Sequence, residues 1–195
     1  MVAVQHEPTA RERILAAGRD LFARHGFHQT SIAELAAEAH VSVGQIYRLF
    51  KSKADVIDAI VRVDAEERAT EMRMLRDRLV TGALDIEQAF EQLVLKSMDK
   101  KDEALSYDIL AEGSRNQTVS ETIADMCVGF RTILRDFACA ANQNLSGEEL
   151  DAAEEVILAC LFGLGHRGMS RPSLSEARAA KQAARMIVGA LRCMT

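Results

Sequence analysis

The chain has 195 residues, of which 48% are hydrophobic and 27% charged, a composition typical of one large or two small globular domains. It contains two prolines, no tryptophan and only 5% aromatic residues, and its alternating apolar and polar stretches are too short to indicate strands. No apolar run approaches the roughly 18–20 residues that cross a membrane, and no secretory signal is recognisable. We therefore predict an all-α protein of about nine helices that acts in the cytoplasm without a membrane partner.

Charge is distributed unevenly along the chain. The net charge is −5, but residues 1–53 carry seven basic and five acidic groups, together with four of the five histidines. The remaining residues carry 17 basic and 24 acidic groups. A polyanion would therefore be attracted to the N-terminal part and repelled by the rest. Such a small excess also arises by chance, so charge alone does not decide the function.

The four cysteines lie far apart in apolar or helical text, namely Cys127, Cys139, Cys160 and Cys193. They form no CxxC pair and have no histidine at ligand spacing, so we expect neither a metal site nor a cofactor. Buried, reduced thiols are the ordinary interpretation. A redox-sensing role for one of them stays open.

The first predicted helix follows an arm, residues 1–8, that we expect to be mobile. Thr9 is a favoured N-cap, and Gly26 ends the helix because glycine readily takes positive φ. Residues spaced by three and four should face inward. These are Ile14, Ala17, Gly18, Leu21, Phe22 and His25.

Two short helices come next. Ser31 and Glu34 have the spacing of a capping box, which begins a helix of about 31–39 with Ile32, Leu35 and Ala36 facing inward. After a break at His40, Ser42 can cap a second short helix that runs to about Phe50. Residues 31–50 thus form a helix-turn-helix pattern, whose second helix has a size that the DNA major groove admits.

The second short helix has an inward stripe, formed by Val41, Ile46 and Phe50. Its outward residues are Ser42, Val43, Gln45, Tyr47 and Arg48. Glutamine can bond adenine at two points, and arginine can bind guanine or phosphate. Gly44 costs a helix about 1 kcal/mol relative to alanine, which indicates close approach to the preceding helix or to DNA. Ordinary packing of Tyr47, and solvated surface roles for Gln45 and Arg48, stay open.

The stretch from Arg13 to Val61 resembles the DNA-binding domain of the TetR (tetracycline repressor) family. The resemblance is carried by Ile14-Leu15-Ala16-Ala17, Leu21-Phe22, His25-Gly26-Phe27, Thr30-Ser31-Ile32, Leu35-Ala36, Val41-Ser42-Val43-Gly44-Gln45-Ile46-Tyr47, Phe50, Ser52-Lys53 and Val56. It covers about a quarter of the chain.

The resemblance implies a DNA-binding domain at 1–53, with the motif at 31–50, and an effector-binding and dimerisation domain at 54–195. It also implies DNA contacts from ten residues, namely Thr30, Ser31, Ser42, Val43, Gly44, Gln45, Tyr47, Arg48, Lys51 and Lys53. The chain departs from the family twice. His40 stands where the family commonly has glycine. Leu49 replaces a usual histidine or tyrosine, so we expect that phosphate contact to be missing and Leu49 to pack inward.

The remainder of the chain also predicts helices. Ser52 can cap a long helix that runs to about Val80, and Gly82 is the next stop signal. Further helices are expected at about 85–100, 103–115, 118–143, 147–166 and 174–193. In similar proteins the last two helices pair with their copies in a homodimer. The stripes expected there are Ala153, Val156, Cys160 and Gly163, then Ala177, Ala180, Ala184, Ile187 and Leu191. A core within one chain is the alternative.

The middle helices are expected to enclose a small-molecule effector. An apolar, methionine-containing lining suits hydrophobic or aromatic ligands, although most such residues would be core in any helical protein. The candidates are Phe90, Leu93, Val94, Met98, Tyr107, Leu110, Met126, Phe130, Leu134, Phe162 and His166.

The expected function is that of a ligand-responsive transcriptional repressor, released from double-stranded operator DNA by its effector. One alternative is an activator of the same fold. Another is a helical ligand-binding module with a non-functional DNA-binding head. An enzyme is not expected, because the sequence has no recognisable nucleophile–base spacing, metal-ligand cluster or phosphate-binding glycine loop.

Overall fold

The all-α prediction is confirmed by a computed structural model, which describes residues 7–99 and 103–194. Within these residues nine α-helices and one short 3-10 helix, Arg167–Ser170, account for the regular structure, and there is no strand. The α-helices are α1 Ala10–His25, α2 Ile32–Glu38, α3 Val43–Leu49, α4 Lys53–Val80, α5 Ile86–Ser97, α6 Glu103–Gly113, α7 Gln117–Ala141, α8 Gly147–Gly165 and α9 Glu176–Cys193. Residues 1–6, most of the predicted arm, lie outside the described residues.

Helix boundaries follow the local capping residues. Thr9 accepts the Glu12 N–H at 3.2 Å, and Ser31 and Ser42 begin α2 and α3 with reciprocal capping boxes. Gly26, which ends α1, has φ 84°, a conformation that favours glycine. The predicted starts and ends of the first three helices are therefore confirmed.

One compact unit contains residues 7–64 and 103–124. Besides the first three helices it includes α6, which chain order alone does not associate with them. Its core residues are Ile14, Leu15, Ala17, Leu21, Phe22, Phe27, Leu35, Ala36, Ala39, Ile46, Phe50, Val56, Ile57, Ala59, Ile60, Leu105 and Val119. The inward residues predicted for α1 are buried except His25, which is exposed next to the cap. The functional boundary expected after residue 53 stays a prediction.

The other compact unit contains residues 65–99 and 125–194. Here α5 packs against both α8 and α9. The rings of Phe90 on α5 and Phe137 on α7 meet edge to face, with centroids 5.8 Å apart, and both side chains are fully buried. This unit therefore has its own apolar core.

The stripe expected at a dimer interface on α9 is largely internal. Ala180, Ala184 and Leu191 are buried in the core of the second unit, and Ala153 on α8 is buried with them. These side chains are consequently not available to a second copy. On α8, by contrast, the predicted Val156 is exposed. The predicted helical spacing on α9 is correct. However, small apolar residues lie on both sides of this helix, and the predicted side packs into the core of its own chain.

Close packing at the end of α8 predicts a loss of stability for Gly165→Ala. A Cβ at Gly165 would lie 2.6 Å from the carbonyl oxygen of Ser97, a backbone atom that cannot simply rotate away. We expect the free energy of unfolding to fall by about 1–3 kcal/mol, measured by chemical denaturation. Gly129→Ala is the matched control, because nothing lies within 4 Å of a Cβ there. Equal stability of both variants would contradict the expectation.

Candidate nucleic-acid interface

A tight turn joins α2 to α3. His40 has φ 51°, so it takes the left-handed conformation in which the family commonly has glycine. The Val41 N–H donates to the Ala36 carbonyl at 3.0 Å, and Arg13 on α1 donates through Nε to the Ala39 carbonyl at 3.2 Å. Sequence reasoning missed this positioning role of Arg13, since the two residues are 26 positions apart.

The outward side of α3 is accessible. Val43 is 41% exposed and Tyr47, one turn later, is 54% exposed, while Ser42, Gly44 and Arg48 are also exposed. Ile46 is fully buried on the opposite side. Leu49 is 45% exposed, so the expectation that it packs inward is wrong. A short helix thus presents hydroxyl, apolar, aromatic and cationic groups on its accessible surface.

Gln45 is half-buried, and its amide is partly engaged. Its Oε1 accepts the Ser42 N–H at 2.8 Å as part of the capping box. In this conformation the amide Nε2 stays available as a donor, so the two-point contact with adenine requires Gln45 to leave the cap.

Gly44 has space around it. A Cβ there would meet only Ser42 Oγ, at 3.9 Å. Close approach to α2 is therefore not the reason for a glycine at this position. Close approach of a partner such as DNA, the other explanation that the sequence offers, stays a prediction.

The residues at the start of α2 differ in accessibility. Thr30 is 1% exposed, and its hydroxyl donates inward to the Gly26 carbonyl at 3.0 Å. Ser31 is exposed, with its hydroxyl donating to Glu34 at 2.7 Å. Lys51 is exposed before α4. The Lys51 side chain is thus open to a partner, whereas the N–H and hydroxyl of Ser31 are already bonded to Glu34 and the Thr30 hydroxyl is used inside the protein.

Lys53 is turned toward the protein. Its Nζ donates to the carbonyls of Phe27, His28 and Thr30 at 2.5, 3.2 and 2.8 Å. The ammonium also lies 4.5 Å from the centroid of the Phe27 ring. Burial lowers the pKa of Lys53, although the charges of Glu112 and Glu34 oppose this. The sequence indicated that Lys53 contacts phosphate. In the structure its ammonium instead stabilises the segment between α1 and α2 by bonding three of its carbonyls.

Asp108 on α6 stabilises the same segment through a hydrogen bond. Its Oδ2 accepts the Phe27 N–H at 2.7 Å, directly after the positive-φ Gly26. Nearby, His28 Nε2 lies 3.6 Å from the buried Glu112 carboxylate. No local signal could have identified Asp108, because it is 81 residues from its partner.

Most predicted effector-lining residues fall into one core. Phe90, Leu93, Val94, Met98 and Leu134 are buried together in the second unit, with Phe130 packed against them. Met126 is half-buried in that unit, whereas Tyr107 and Leu110 are half-buried in the first. Phe162 is 53% exposed, and its ring centroid lies 4.4 Å from that of His166. An open depression is lined instead by Leu95, Lys96, Asp99 and Glu176, none of which the sequence indicated.

The described residues contain neither a candidate metal centre nor a membrane-spanning helix. Among residues 7–99 and 103–194 no group of three or more His, Cys, Asp or Glu side chains is arranged to hold a metal ion. None of the helices in these ranges is long and apolar enough to cross a membrane.

Known proteins resemble this chain most specifically in its N-terminal part. A family model described as bacterial regulatory proteins, tetR family, matches residues 14–60. The HTH-type transcriptional regulator UidR of Escherichia coli strain K12 is 32% identical over 115 residues, which are 58% of this chain and 56% of UidR. The chain therefore matches little more than half the length of this curated relative.

Solved structures share the whole fold. FadR from Bacillus subtilis, solved in complex with stearoyl-CoA, has a TM-score of 0.74 at 17% identity, covering 90% of this chain and 96% of FadR. A transcriptional regulator from Saccharomonospora viridis, solved with choline, has a TM-score of 0.68 at 20% identity, covering 92% and 95%. At such identities the likeness concerns the fold, and the bound molecules are those of the two proteins named.

Proposed function

We propose that this chain is a member of the TetR family of bacterial regulatory proteins and controls transcription by binding operator DNA as a homodimer in the cytoplasm. The observation that carries the proposal is the accessible side of α3, which exposes side chains whose chemistry suits base edges and phosphates on a helix short enough for the major groove. The turn before α3 is held by Arg13, so the helix is presented in a fixed orientation.

Different residues serve different parts of the contact. Val43 and Tyr47 are on one side of α3 and would meet base edges, with Val43 suited to a thymine methyl group. Arg48 and Lys51 are exposed cations that would contact phosphate or guanine. Ser31 would offer its N–H and hydroxyl to phosphate only after both leave the Glu34 carboxylate, to which they donate in the capping box. Gly44 would allow close approach.

The proposed dimer uses the outer sides of α8 and α9. We call the α8/α9 face the exposed set formed by Ala152, Val156, Ala159 and Gly163 on α8 and Gln182, Met186, Gly189 and Cys193 on α9. Val156 is 60% and Met186 74% exposed, and small residues beside them permit close approach of a second helix pair. A second copy of the chain is the proposed occupant, which gives two reading helices for the two half-sites of an operator.

We further propose a repressor that a small hydrophobic or aromatic effector releases from DNA. The support is the apolar core around Phe90 and Leu134, in the unit that does not carry α3. An effector acts by binding one conformation of the dimer better than the other. A ligand that binds without changing operator affinity would count against this part. Deleting the gene distinguishes repressor from activator, because transcription of the target rises in the first case and falls in the second.

The test of the main proposal is binding of the purified protein to the promoter DNA that flanks its own gene, measured by fluorescence anisotropy across a salt series. Site-specific binding that weakens steeply with salt is the expected result, because phosphate contacts release counterions. If the promoter contains no binding site, we would search for the operator by selecting bound sequences from random DNA. If no sequence is enriched even at low salt, the head does not read DNA, and the alternative of a ligand-binding module with a non-functional head is favoured.

Arg48→Ala is expected to weaken operator binding by about 1–3 kcal/mol without loss of stability, since the exposed side chain makes no contact that the fold needs. Binding to a set of single-base operator variants shows whether Arg48 contacts a guanine or a phosphate. Loss of a guanine contact reduces the base preference at one operator position, whereas loss of a phosphate contact weakens binding to all sequences alike. Arg115→Ala, an exposed arginine after α6, is the control and should bind as the wild type does. Unchanged affinity of Arg48→Ala would exclude Arg48 from the interface.

A further inference from the structure

A cation interrupts the apolar side of α7. Leu134 and Ala138 are fully buried on this side. Arg131 precedes them by three and seven residues, so the helical period puts it on the same side. It is half-buried, and its Nε is shielded from solvent without a hydrogen-bond partner. The guanidinium group therefore occupies a position at which the helical spacing of buried residues on α7 predicts an apolar side chain.

Neighbouring arginines of the same unit are paired. Arg135, one turn further along α7, donates to Asp151 at 2.6 Å and to Glu154 at 2.9 Å. Arg76 donates to Asp136 at 3.3 Å and also to the adjacent Asp77. By contrast, no side-chain hydrogen bond or ion pair joins Arg131 to the described part of the chain. Asp151 and Glu154 thus pair with Arg135, whereas the Nε of Arg131 is left without a hydrogen-bond partner.

The surroundings of Arg131 are partly apolar. One turn earlier, burial raises the pKa of the Cys127 thiol, and the charge of Arg131 partly opposes that rise. Phe130, the preceding residue, packs against the apolar core. A shielded donor without a partner is unfavourable, and a bound acceptor would compensate it. A carboxylate or phosphate would match the two parallel N–H groups of the guanidinium.

We propose that Arg131 is the anion-binding residue of the effector site and that the effector is an amphipathic organic acid. Its oxyanion, a carboxylate or a phosphate, pairs with Arg131, and its apolar part lies against the side chains of the core that includes Phe130 and Leu134. This rests on the proposed function, in that the bound molecule is taken to be the effector. It narrows the ligand class from any hydrophobic molecule to acids.

The experiment compares matched pairs of probes on the full-length protein by isothermal titration calorimetry. The pairs are decanoate and decanamide, 4-phenylbutyrate and 4-phenylbutyramide, and decyl phosphate and decanol. We expect at least one acid to bind the wild type about 10- to 100-fold more tightly than its neutral partner, the range typical of a hydrogen-bonded charge. Arg131→Gln should abolish this preference. Arg78→Gln, which removes an exposed arginine bonded to Gln92, should retain it.

Three results would overturn the proposal: equal or absent binding of acid and neutral partner throughout the panel, a preference retained by Arg131→Gln, or a structural role for Arg131. The last is tested without ligand through Arg131→Met, which removes an unpaired cation and should leave the melting temperature unchanged or higher. A fall of about 4 °C or more would indicate a structural arginine.

Measurements of operator binding distinguish a failure of this proposal from a failure of the proposed function. Ligand-free Arg131→Gln should bind operator as the wild type does, because Arg131 is in the unit that does not carry α3. A wild type that binds no DNA would contradict the proposed function and leave the acid preference as an independent result.

Discussion

Replacing Val156 and Met186 together by aspartate is expected to convert the protein to a monomer and to weaken operator binding by about 100-fold or more. Both side chains are largely exposed in the single chain, at 60% and 74%, so the aspartates are solvated there and the fold is retained. In the proposed dimer the same carboxylates would be buried without partners, which is strongly unfavourable. Each head would then contact only its own half-site.

Analytical ultracentrifugation measures the mass of this double variant, and fluorescence anisotropy measures its operator affinity. Met74→Asp is the control, since Met74 is 62% exposed on α4 and lies outside the α8/α9 face. It should remain dimeric and bind DNA normally. A double variant that is still dimeric would mean that a different surface joins the two copies. A monomer that binds the operator with full affinity would instead contradict the expectation that two copies of α3 are required for binding.

Lys53→Met is expected to lower the free energy of unfolding by about 2–3 kcal/mol and to impair operator binding through that loss. The substitution keeps the apolar stem but removes the ammonium that bonds three carbonyls between α1 and α2. Those carbonyls include Thr30, one residue before the N-cap of α2. The position of the helix-turn-helix motif therefore depends on this group even without contact to DNA.

Chemical denaturation and the salt dependence of binding separate the two possible roles of Lys53. A fastening role lowers stability and leaves the slope of log affinity against log salt unchanged. A phosphate contact leaves stability nearly unchanged and reduces the slope by about 0.9. Lys51→Met, two residues away and exposed, is the matched control and should show the second pattern. If Lys53→Met shows that pattern too, the ammonium turns outward when DNA binds.

The two units carry different parts of the proposed mechanism. The first presents α3 and is fastened by Lys53 and Asp108, both of which bond the segment after Gly26. The second contains the apolar core, the unpaired Arg131 and the α8/α9 face. Variants at Lys53, Arg131 and Met186 therefore affect separate measurements, namely stability, acid preference and mass. This makes the individual proposals independently testable.

Several features of this protein were determined by the sequence alone, because they depend on residues three or four positions apart. The capping boxes at Ser31 and Ser42, the end of α1 at Gly26 and, apart from Leu49, the accessible side of α3 are of this kind. The run of residues around Val43 and Tyr47 is also specific enough to indicate the family by itself. Local hydrogen bonds and the helical period act within one segment, so they can be read from it.

The tertiary structure decided what depends on distant partners. It turned Lys53 toward carbonyls 23–26 residues away and brought Asp108 to Phe27 across 81 residues. It also decided which side of α9 enters the core, a choice that periodicity cannot make when small residues occur on both sides. It also paired Arg135 with Asp151 and Glu154 on α8, while the Nε of Arg131 has no hydrogen-bond partner. In each case the result depends on the packing of separate helices, which no local pattern specifies.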